Sequence, residues 1–229
     1  MCGIAGIWNF SRPRSPAPTA DADAPARVRV EAMLDAMRHR GPDGRGSMEY
    51  VGGAAGMVRL ALVDLSDQGQ QPMWSADRRV AILFNGEVYN FREHRQRLAS
   101  IGPSFHSTTD TEVVLRLYLE RGRDCVHALR GMYALAIFDW RETGTDRPPQ
   151  LFLARDPLGI KPLYVAELGQ GAPTVVFASE LRALLASGLV SRAICREGLC
   201  DYFATGRVWQ PRTMLDQVRM LEAGCWELH

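Results

Sequence analysis

Cys2-Gly3-Ile4-Ala5-Gly6-Ile7-Trp8 opens the chain, directly behind Met1. An initiator Met before a small residue is normally trimmed. Trimming leaves Cys2 with a thiol and a free α-amine on one residue, a nucleophile and its base. A free α-amine titrates near ~7.7–8.0, which suits a general base at neutral pH. The same stretch also reads as a short buried strand over residues 3–8, with Cys2 a small buried residue at its start. The rest of the sequence has to decide between these readings.

The 229 residues are 46% hydrophobic and 23% charged, enough for one large domain or two small ones. A net charge of +1 gives no reason to expect nucleic acid or an acidic membrane surface as partner. The longest apolar runs, such as Val80-Ala81-Ile82-Leu83-Phe84, are strand-sized, far below the ~20 residues of a membrane helix. No basic segment precedes the apolar start, so no signal peptide is expected. The five cysteines are odd in number and form no CxxC. That favours a reducing, cytoplasmic setting without disulfides or zinc, with Cys195 and Cys200 as apolar packing residues.

Outward from residues 3–8, the Pro- and Ala-rich stretch 11–26 reads as a flexible surface insertion. Residues 27–38 predict a helix with Val28, Met33, Leu34 and Met37 inward. Gly41-Pro42-Asp43-Gly44 is a turn, and 56–65 and 79–84 are strand candidates. Asn90 is a good N-cap for a helix over 91–100. Thr109 or Asp110 caps a second helix over 110–121, with Val113, Val114, Leu117 and Tyr118 inward. Met132–Trp140 and Gln150–Ala154 predict a strand pair joined by a polar loop with Pro148 and Pro149. Residues 162–166 and 174–178 predict strands, and Glu180–Ser187 and Glu197–Ala204 helices. Short strands early and late, with helices between and no βαβ alternation, imply an α+β fold with antiparallel sheets.

Four further blocks stand in order along the chain. They are Arg38-His39-Arg40-Gly41-Pro42-Asp43, Arg59-Leu60-Ala61-Leu62-Val63-Asp64, Asn85-Gly86-Glu87-Val88-Tyr89-Asn90, and Ala154-Arg155-Asp156-Pro157-Leu158-Gly159-Ile160-Lys161-Pro162-Leu163-Tyr164. With Cys2, and with Gly131-Met132-Tyr133-Ala134-Leu135 and Phe177-Ala178-Ser179-Glu180-Leu181, the chain resembles the glutaminase domain of glutamine-hydrolysing asparagine synthetases. That domain is a class II glutamine amidotransferase of the N-terminal nucleophile hydrolases. The resemblance implies a four-layer αββα sandwich of two antiparallel sheets between helices. It also implies an enzyme releasing ammonia and glutamate from L-glutamine through a thioester on Cys2.

Amide hydrolysis needs a nucleophile, a proton shuttle and donors for a tetrahedral oxyanion. Asn85-Gly86 follows an apolar strand, so a side-chain amide and an unhindered N–H could project together from its end as an oxyanion hole. Asn-Gly is equally the strongest short hairpin signal. The resemblance implies the oxyanion role for Asn85 and Gly86. A free amino acid also needs its two charges recognised, and the guanidinium fork suits a carboxylate. Arg59 lies in an apolar stretch, where a charge requires a partner such as Asp64 or Glu49. The resemblance instead implies that Arg59 binds the glutamine carboxylate, with Leu60 and Val63 lining the pocket through backbone groups. Asp110 reads as an N-cap, and the resemblance makes it a ligand for the substrate ammonium together with Glu87. His39 reads as loop-stabilising, and Arg155, Asp156 and Lys161 as an internal salt-bridge and turn network.

The sequence departs from the family pattern at Met57-Val58, where a His often stands, and at Ala61, where Ser is common. Residues 1–190 are expected to form the glutaminase domain. Residues 191–229 are expected to be a linker and the start of a synthetase domain otherwise absent. No Ser-Gly-Gly-x-Asp-Ser pyrophosphate loop is found, so ATP and magnesium are expected only in that domain, with no metal or cofactor here. The expected partner is a synthetase domain or subunit receiving ammonia; a homodimer is left open. Two other readings stand beside this one: a class II amidotransferase with a different acceptor, and a non-catalytic regulatory module on a glutaminase fold. Phe84 before Asn85, where the glucosamine-phosphate and phosphoribosylamine types usually have His, disfavours the first. Intact Cys2, Arg59, Asn85, Gly86 and Asp110 disfavour the second.

Overall fold

The computed structural model describes residues 1–9, 25–102, 104–141, 149–169 and 174–229. Nearly all of the insertion expected at 11–26 therefore lies outside the described residues, as does Pro148. Eleven strands are described in two sheets. They are β1 (Gly3–Asn9), β2 (Gly44–Tyr50), β3 (Gly53–Arg59), β4 (Met73–Trp74), β5 (Val80–Val88), β6 (Gly131–Asp139), β7 (Gln150–Arg155), β8 (Tyr164–Leu168), β9 (Thr174–Ala178), β10 (Arg219–Met220) and β11 (Trp226–Leu228). One sheet runs β10-β8-β9-β1-β3-β2, the other β11-β7-β6-β5-β4, and neighbours pair antiparallel throughout.

Strand alternation builds the layers. Along β5, Ala81 and Leu83 face the other sheet, while Val80, Ile82 and Phe84 face outward. Along β1, Ile4 and Trp8 point between the sheets and Ala5 and Ile7 point away. Both faces of each sheet are thus apolar, and each outer face needs a cover. Helix α3 (Asp110–Arg121) covers one through Val113, Val114, Leu117 and Tyr118, with α2 (Phe91–Ile101) adding Leu98. Helices α1 (Ala26–Ala36) and α4 (Leu181–Ala186) cover the other. The result is the four-layer αββα sandwich. Among the described residues no helix is long and apolar enough to cross a membrane.

Several local expectations change. The inward stripe of α1 is Val30, Met33 and Leu34, continued by Met37, and Val28 is exposed. Those four recur at i, i+3, i+4 and i+7, a stripe that leaves Val28 on the opposite side. Strand β3 ends at Arg59, so residues 60–65 are loop, with Leu62 and Leu65 exposed. Asn90 precedes α2 but makes no capping bond there. Its amide donates to the Ala128 carbonyl and accepts from Arg130 N–H, tying α2 to the start of β6. Thr109 is the cap of α3, accepting from Glu112 N–H. Cys195 is buried and caps α5 (Arg196–Thr205), whereas Cys200 is exposed on it. Residues past 190 are stitched to both sheets, β10 to β8 and β11 to β7.

Candidate active site

Cys2 stands at the threshold of β1, where three elements fix it. Ile4 N–H donates to Ser179 Oγ (3.1 Å) and Ser179 N–H returns to the Ile4 carbonyl (2.9 Å). Arg40 Nε donates to the Cys2 carbonyl (2.9 Å), and its Nη1 bonds Glu180 (2.9 Å), which also takes His39 (2.9 Å). His39 thus supports the loop around the site. The thiol meets one residue of the loop after β3. Leu60 N–H donates to Sγ (3.3 Å), and Sγ–H donates to the Leu60 carbonyl (3.5 Å).

The turn at 41–44 holds that loop in place. Gly41 lies so close to β3 that a Cβ would sit 2.2 Å from the Val58 carbonyl carbon, which only glycine avoids. Asp43 N–H donates to the Arg59 carbonyl, and the Asp43 carboxylate accepts from Ala61 N–H. The sequence block 38–43 is therefore the clamp between β1, β3 and the thiol.

Asn85-Gly86 lies inside β5, not at its end, because β5 continues to Val88 paired along its length with β6. The hairpin reading falls with it. Asn85 shares strand parity with Ala81 and Leu83, so its side chain faces the inter-sheet layer that also holds Cys2. It is 1% exposed, and its Nδ2 finds no hydrogen-bond partner among the described residues. A buried unpaired amide costs roughly 1–3 kcal/mol, so an orphaned donor of this kind marks a place where a ligand acceptor belongs. Gly86 is held by packing: a Cβ there would lie 2.4 Å from the Met132 carbonyl oxygen and 2.7 Å from Tyr133 Cα.

Arg59 is buried, and its guanidinium answers no carboxylate among the described residues. Nη1 donates to the Ser66 carbonyl (3.0 Å) and Nη2 to the Asp64 carbonyl, so neither Glu49 nor the Asp64 side chain is its partner. Gly69 backs the fork, since a Cβ there would lie 2.1 Å from Nη2. Asp64 turns its carboxylate elsewhere, to Ser66 and Thr108. The Ser66 hydroxyl and the Thr108 N–H hold it well below the usual carboxylate range.

Asp110 closes the opposite side. It is 5% exposed, and its Oδ2 accepts from Val88 N–H (2.9 Å) at the end of β5. Burial pushes its carboxyl up to about 6, against the pull of backbone N–H groups and with a small addition from Glu87. Among the described residues no cation pairs with Asp110 or Glu87. The pocket thus holds an acidic side and a guanidinium that do not pair with each other, which is the complement of an α-amino-acid zwitterion; the Lys161 ammonium also lines the pocket and acts on Glu87 without bonding it.

All eight residues singled out from sequence line this pocket: Cys2, Arg59, Leu60, Val63, Asn85, Gly86, Glu87 and Asp110. Lys161 and Met1 line it as well. Lys161 Nζ approaches Met1 Sδ (3.2 Å), and burial followed by the nearby Arg40 charge lowers its ammonium below its ordinary value. The sequence places Lys161 in a salt-bridge and turn network with Arg155 and Asp156. Asp156 instead accepts from the backbone N–H groups of Tyr133, Leu158, Ile160 and Lys161. Arg155 donates to the carbonyls of Gly159, Lys161 and Leu221. Backbone cages of this kind free Lys161 for the pocket.

A family model described as a glutamine amidotransferase domain matches residues 1–229. The chain is 35% identical over 227 residues to Bacillus subtilis asparagine synthetase (glutamine-hydrolyzing) 1, covering 98% of this chain and 33% of that protein. It is 34% identical over 209 residues to B. subtilis asparagine synthetase (glutamine-hydrolyzing) 2, covering 90% and 25%. It is 35% identical over 184 residues to Arabidopsis thaliana asparagine synthetase (glutamine-hydrolyzing) 3, covering 80% and 28%. The chain spans between a quarter and a third of the length of these curated relatives. Among solved structures, glutamine phosphoribosylpyrophosphate amidotransferase from B. subtilis, complexed with ADP and GMP, superposes at TM-score 0.64 and 20% identity, covering 100% of this chain and 49% of that one. A structure described as the allosteric regulatory enzyme of purine biosynthesis gives 0.60 and 24%, covering 82% and 43%. At those identities the two bear on the fold alone, and both agree with the two-sheet sandwich.

Proposed function

The chain belongs to the glutamine amidotransferase domain family, and we propose that this pocket hydrolyses the side-chain amide of L-glutamine with Cys2 as nucleophile. The observation that carries the proposal is the orphaned Asn85 amide, buried in the same pocket as the Cys2 thiol. A nucleophile and an unsatisfied donor in one pocket are what acyl transfer requires.

The cycle follows from the groups present. With Met1 removed, the α-amine of Cys2 takes the thiol proton. Sγ then bonds to the amide carbon, and the carbonyl π pair moves onto oxygen, where Asn85 Nδ2 and the backbone N–H of Gly86 receive it. Collapse of this tetrahedral species breaks the C–N bond. The ammonium on Cys2 gives its proton to the leaving nitrogen, and ammonia departs. A γ-glutamyl thioester remains. Water adds to it with the amine again as base, the C–S bond breaks, and glutamate and the free thiol result. Arg59 holds the α-carboxylate throughout, Asp110 and Glu87 the ammonium, and backbone groups of Leu60 and Val63 line the wall.

In this reading residues 1–190 form the glutaminase domain, to whose two sheets residues 191–229 add the edge strands β10 and β11. Residues 191–229 lead toward a synthetase domain or subunit that receives the ammonia for asparagine synthesis from aspartate. ATP and magnesium belong to that part, and the step at Cys2 draws on protein groups alone. The resemblance to asparagine synthetases over nearly the whole chain supports that acceptor. The setting is cytoplasmic.

The test is direct. Purified protein lacking Met1, given glutamine, releases ammonia and glutamate in equal amounts. Acid quenching during turnover traps a γ-glutamyl adduct on the peptide containing Cys2. An adduct on another residue, or turnover with no adduct under conditions where it should accumulate, removes Cys2 from the mechanism.

A further inference from the structure

Asp64 is a buried carboxylate that the cycle above does not use. It lines the pocket and is 7% exposed, yet its carboxylate bonds Ser66 and Thr108 and not Arg59. Oδ1 accepts from Ser66 N–H (2.9 Å) and from the Ser66 hydroxyl (2.6 Å). Oδ2 accepts from Thr108 N–H (2.8 Å) and from the Thr108 hydroxyl (2.8 Å). Four donors on one carboxylate make a strong, charge-assisted clasp. It joins the loop after β3 to the loop before α3, two segments 44 residues apart in sequence.

What the clasp holds is the seat of the guanidinium. The carbonyls that orient Arg59 belong to Asp64 itself and to Ser66, the two residues fixed by the Asp64 carboxylate. The far end of the clasp lies beside Thr109 and Asp110, on the acidic side of the pocket. Between Leu60, which touches the thiol, and Ser66, the loop exposes Leu62 and Leu65 and has little core of its own. Such a loop keeps one shape only where polar bonds hold it.

We propose that Asp64 is a positioning residue for glutamine recognition. It fixes the spacing between the Arg59 fork and the acidic side, and so sets the pocket to the separation of the substrate's carboxylate and ammonium. The proposal rests on the reading of Arg59 as the carboxylate site. A positioning residue of this kind acts on capture and on selectivity for the α-carboxylate, and leaves the chemistry at Cys2 in place.

The experiment measures kcat and KM for glutamine and for 4-aminobutyramide, which is glutamine without its α-carboxylate. The proteins are wild type, Asp64→Asn, Asp64→Ala and Arg59→Ala, all lacking Met1 and matched for folded fraction. The expected result for both Asp64 variants is a KM for glutamine raised about tenfold or more, kcat within about threefold, and a reduced preference for glutamine over 4-aminobutyramide. Adding Asp64→Ala to Arg59→Ala should then change that preference little. Where Asp64→Ala fails to fold, Ser66→Ala with Thr108→Val removes the two hydroxyls and should raise KM in the same direction by less. A wild-type KM and preference in the folded Asp64 variants, with Arg59→Ala impaired, overturns the Asp64 role and leaves the function reading intact. A loss confined to melting temperature also overturns it, since that is a purely structural carboxylate. A wild-type KM in Arg59→Ala overturns the carboxylate-site reading itself.

Discussion

The backbone of Leu60 faces the thiol of Cys2 with both its groups, N–H to sulfur at 3.3 Å and sulfur to carbonyl at 3.5 Å. One residue of a largely exposed loop therefore fixes the rotamer of the proposed nucleophile. Removing the sulfur should cost little structure, because Cys2 is only part-buried at the edge of the inter-sheet core. Cys2→Ala is expected to abolish glutamate release while the melting curve stays near wild type. Activity near wild type in that variant would reject the assignment.

Maturation follows from the base. Met1 lines the pocket and its sulfur reaches Lys161, in the space beside the thiol. A retained Met1 also removes the free α-amine from Cys2. Intact mass spectrometry of active material should show Met1 missing, and a version with one extra residue ahead of Cys2 should be inactive. Full activity in protein that keeps Met1 would contradict the amine as base.

Asn85→Ala deletes the orphaned donor. Turnover is expected to fall by roughly 10²–10³, the usual loss for one oxyanion donor, with KM changing far less. The fold should lose little, since Nδ2 has no partner among the described residues to strand. A large stability loss with normal specific activity of the folded fraction would make Asn85 structural.

Arg59→Ala and Asp110→Ala should each weaken glutamine capture strongly. Losing one member of a buried, hydrogen-bonded charge pair costs about 2–5 kcal/mol. Alkylation of Cys2 by a small neutral reagent should persist, whereas inactivation by diazo-oxo-norleucine should slow, because that reagent carries the same two charges as glutamine. Loss of both reactions would mean that the two residues support the fold.

Asp110 also sets a pH dependence. Its carboxyl is raised by burial from an ordinary value of 3.8 to about 6, so the folded protein binds a proton that the unfolded chain has released. Its stabilising contribution is therefore full below about 4 and is lost as pH rises through about 6. Glutamine binding runs the other way, because only the ionised carboxylate holds an ammonium. In the Cys2→Ala protein, where no chemistry intervenes, glutamine affinity measured by calorimetry should fall as pH drops below about 6. Asp110→Asn should bind weakly and without that slope, and a slope that survives in Asp110→Asn would belong to another group.

Much of this was legible in the chain, and the rest was hidden for identifiable reasons. A cap for α3 at Thr109 or Asp110, of which the structure uses Thr109, and the inward residues of that helix follow from local chemistry that the tertiary structure has no cause to overrule. The apolar run that stops at Phe84 puts Asn85 at a strand end. Its continuation in β5 is fixed by pairing with β6, a partner about fifty residues away. The bonds of Arg59, and most of those of Arg155, go to backbone carbonyls, which every residue carries, so side-chain spacing gives no sign of them. Asp64 gives a hint, as an acid near a buried Arg, but its carboxylate goes to Ser66 and to Thr108, the latter 44 residues further along the chain. Lys161 was masked by its neighbours in a charged turn.

β5 has one consequence for how such a sequence can drift. Its successive side chains pack into different layers: Phe84 joins the cluster under the helices, although it also borders the pocket, and Asn85 faces the inter-sheet side. Exchanges at Val80, Ile82 and Phe84 can be absorbed by repacking under α3, with volume as the criterion. One position along, the criterion becomes the placement of a single donor. Two lineages can therefore diverge widely on the outer register of this strand and remain identical on the inner one. A single-residue insertion anywhere in Val80–Phe84 would exchange the two registers at a stroke, leaving the composition nearly untouched and the chemistry gone.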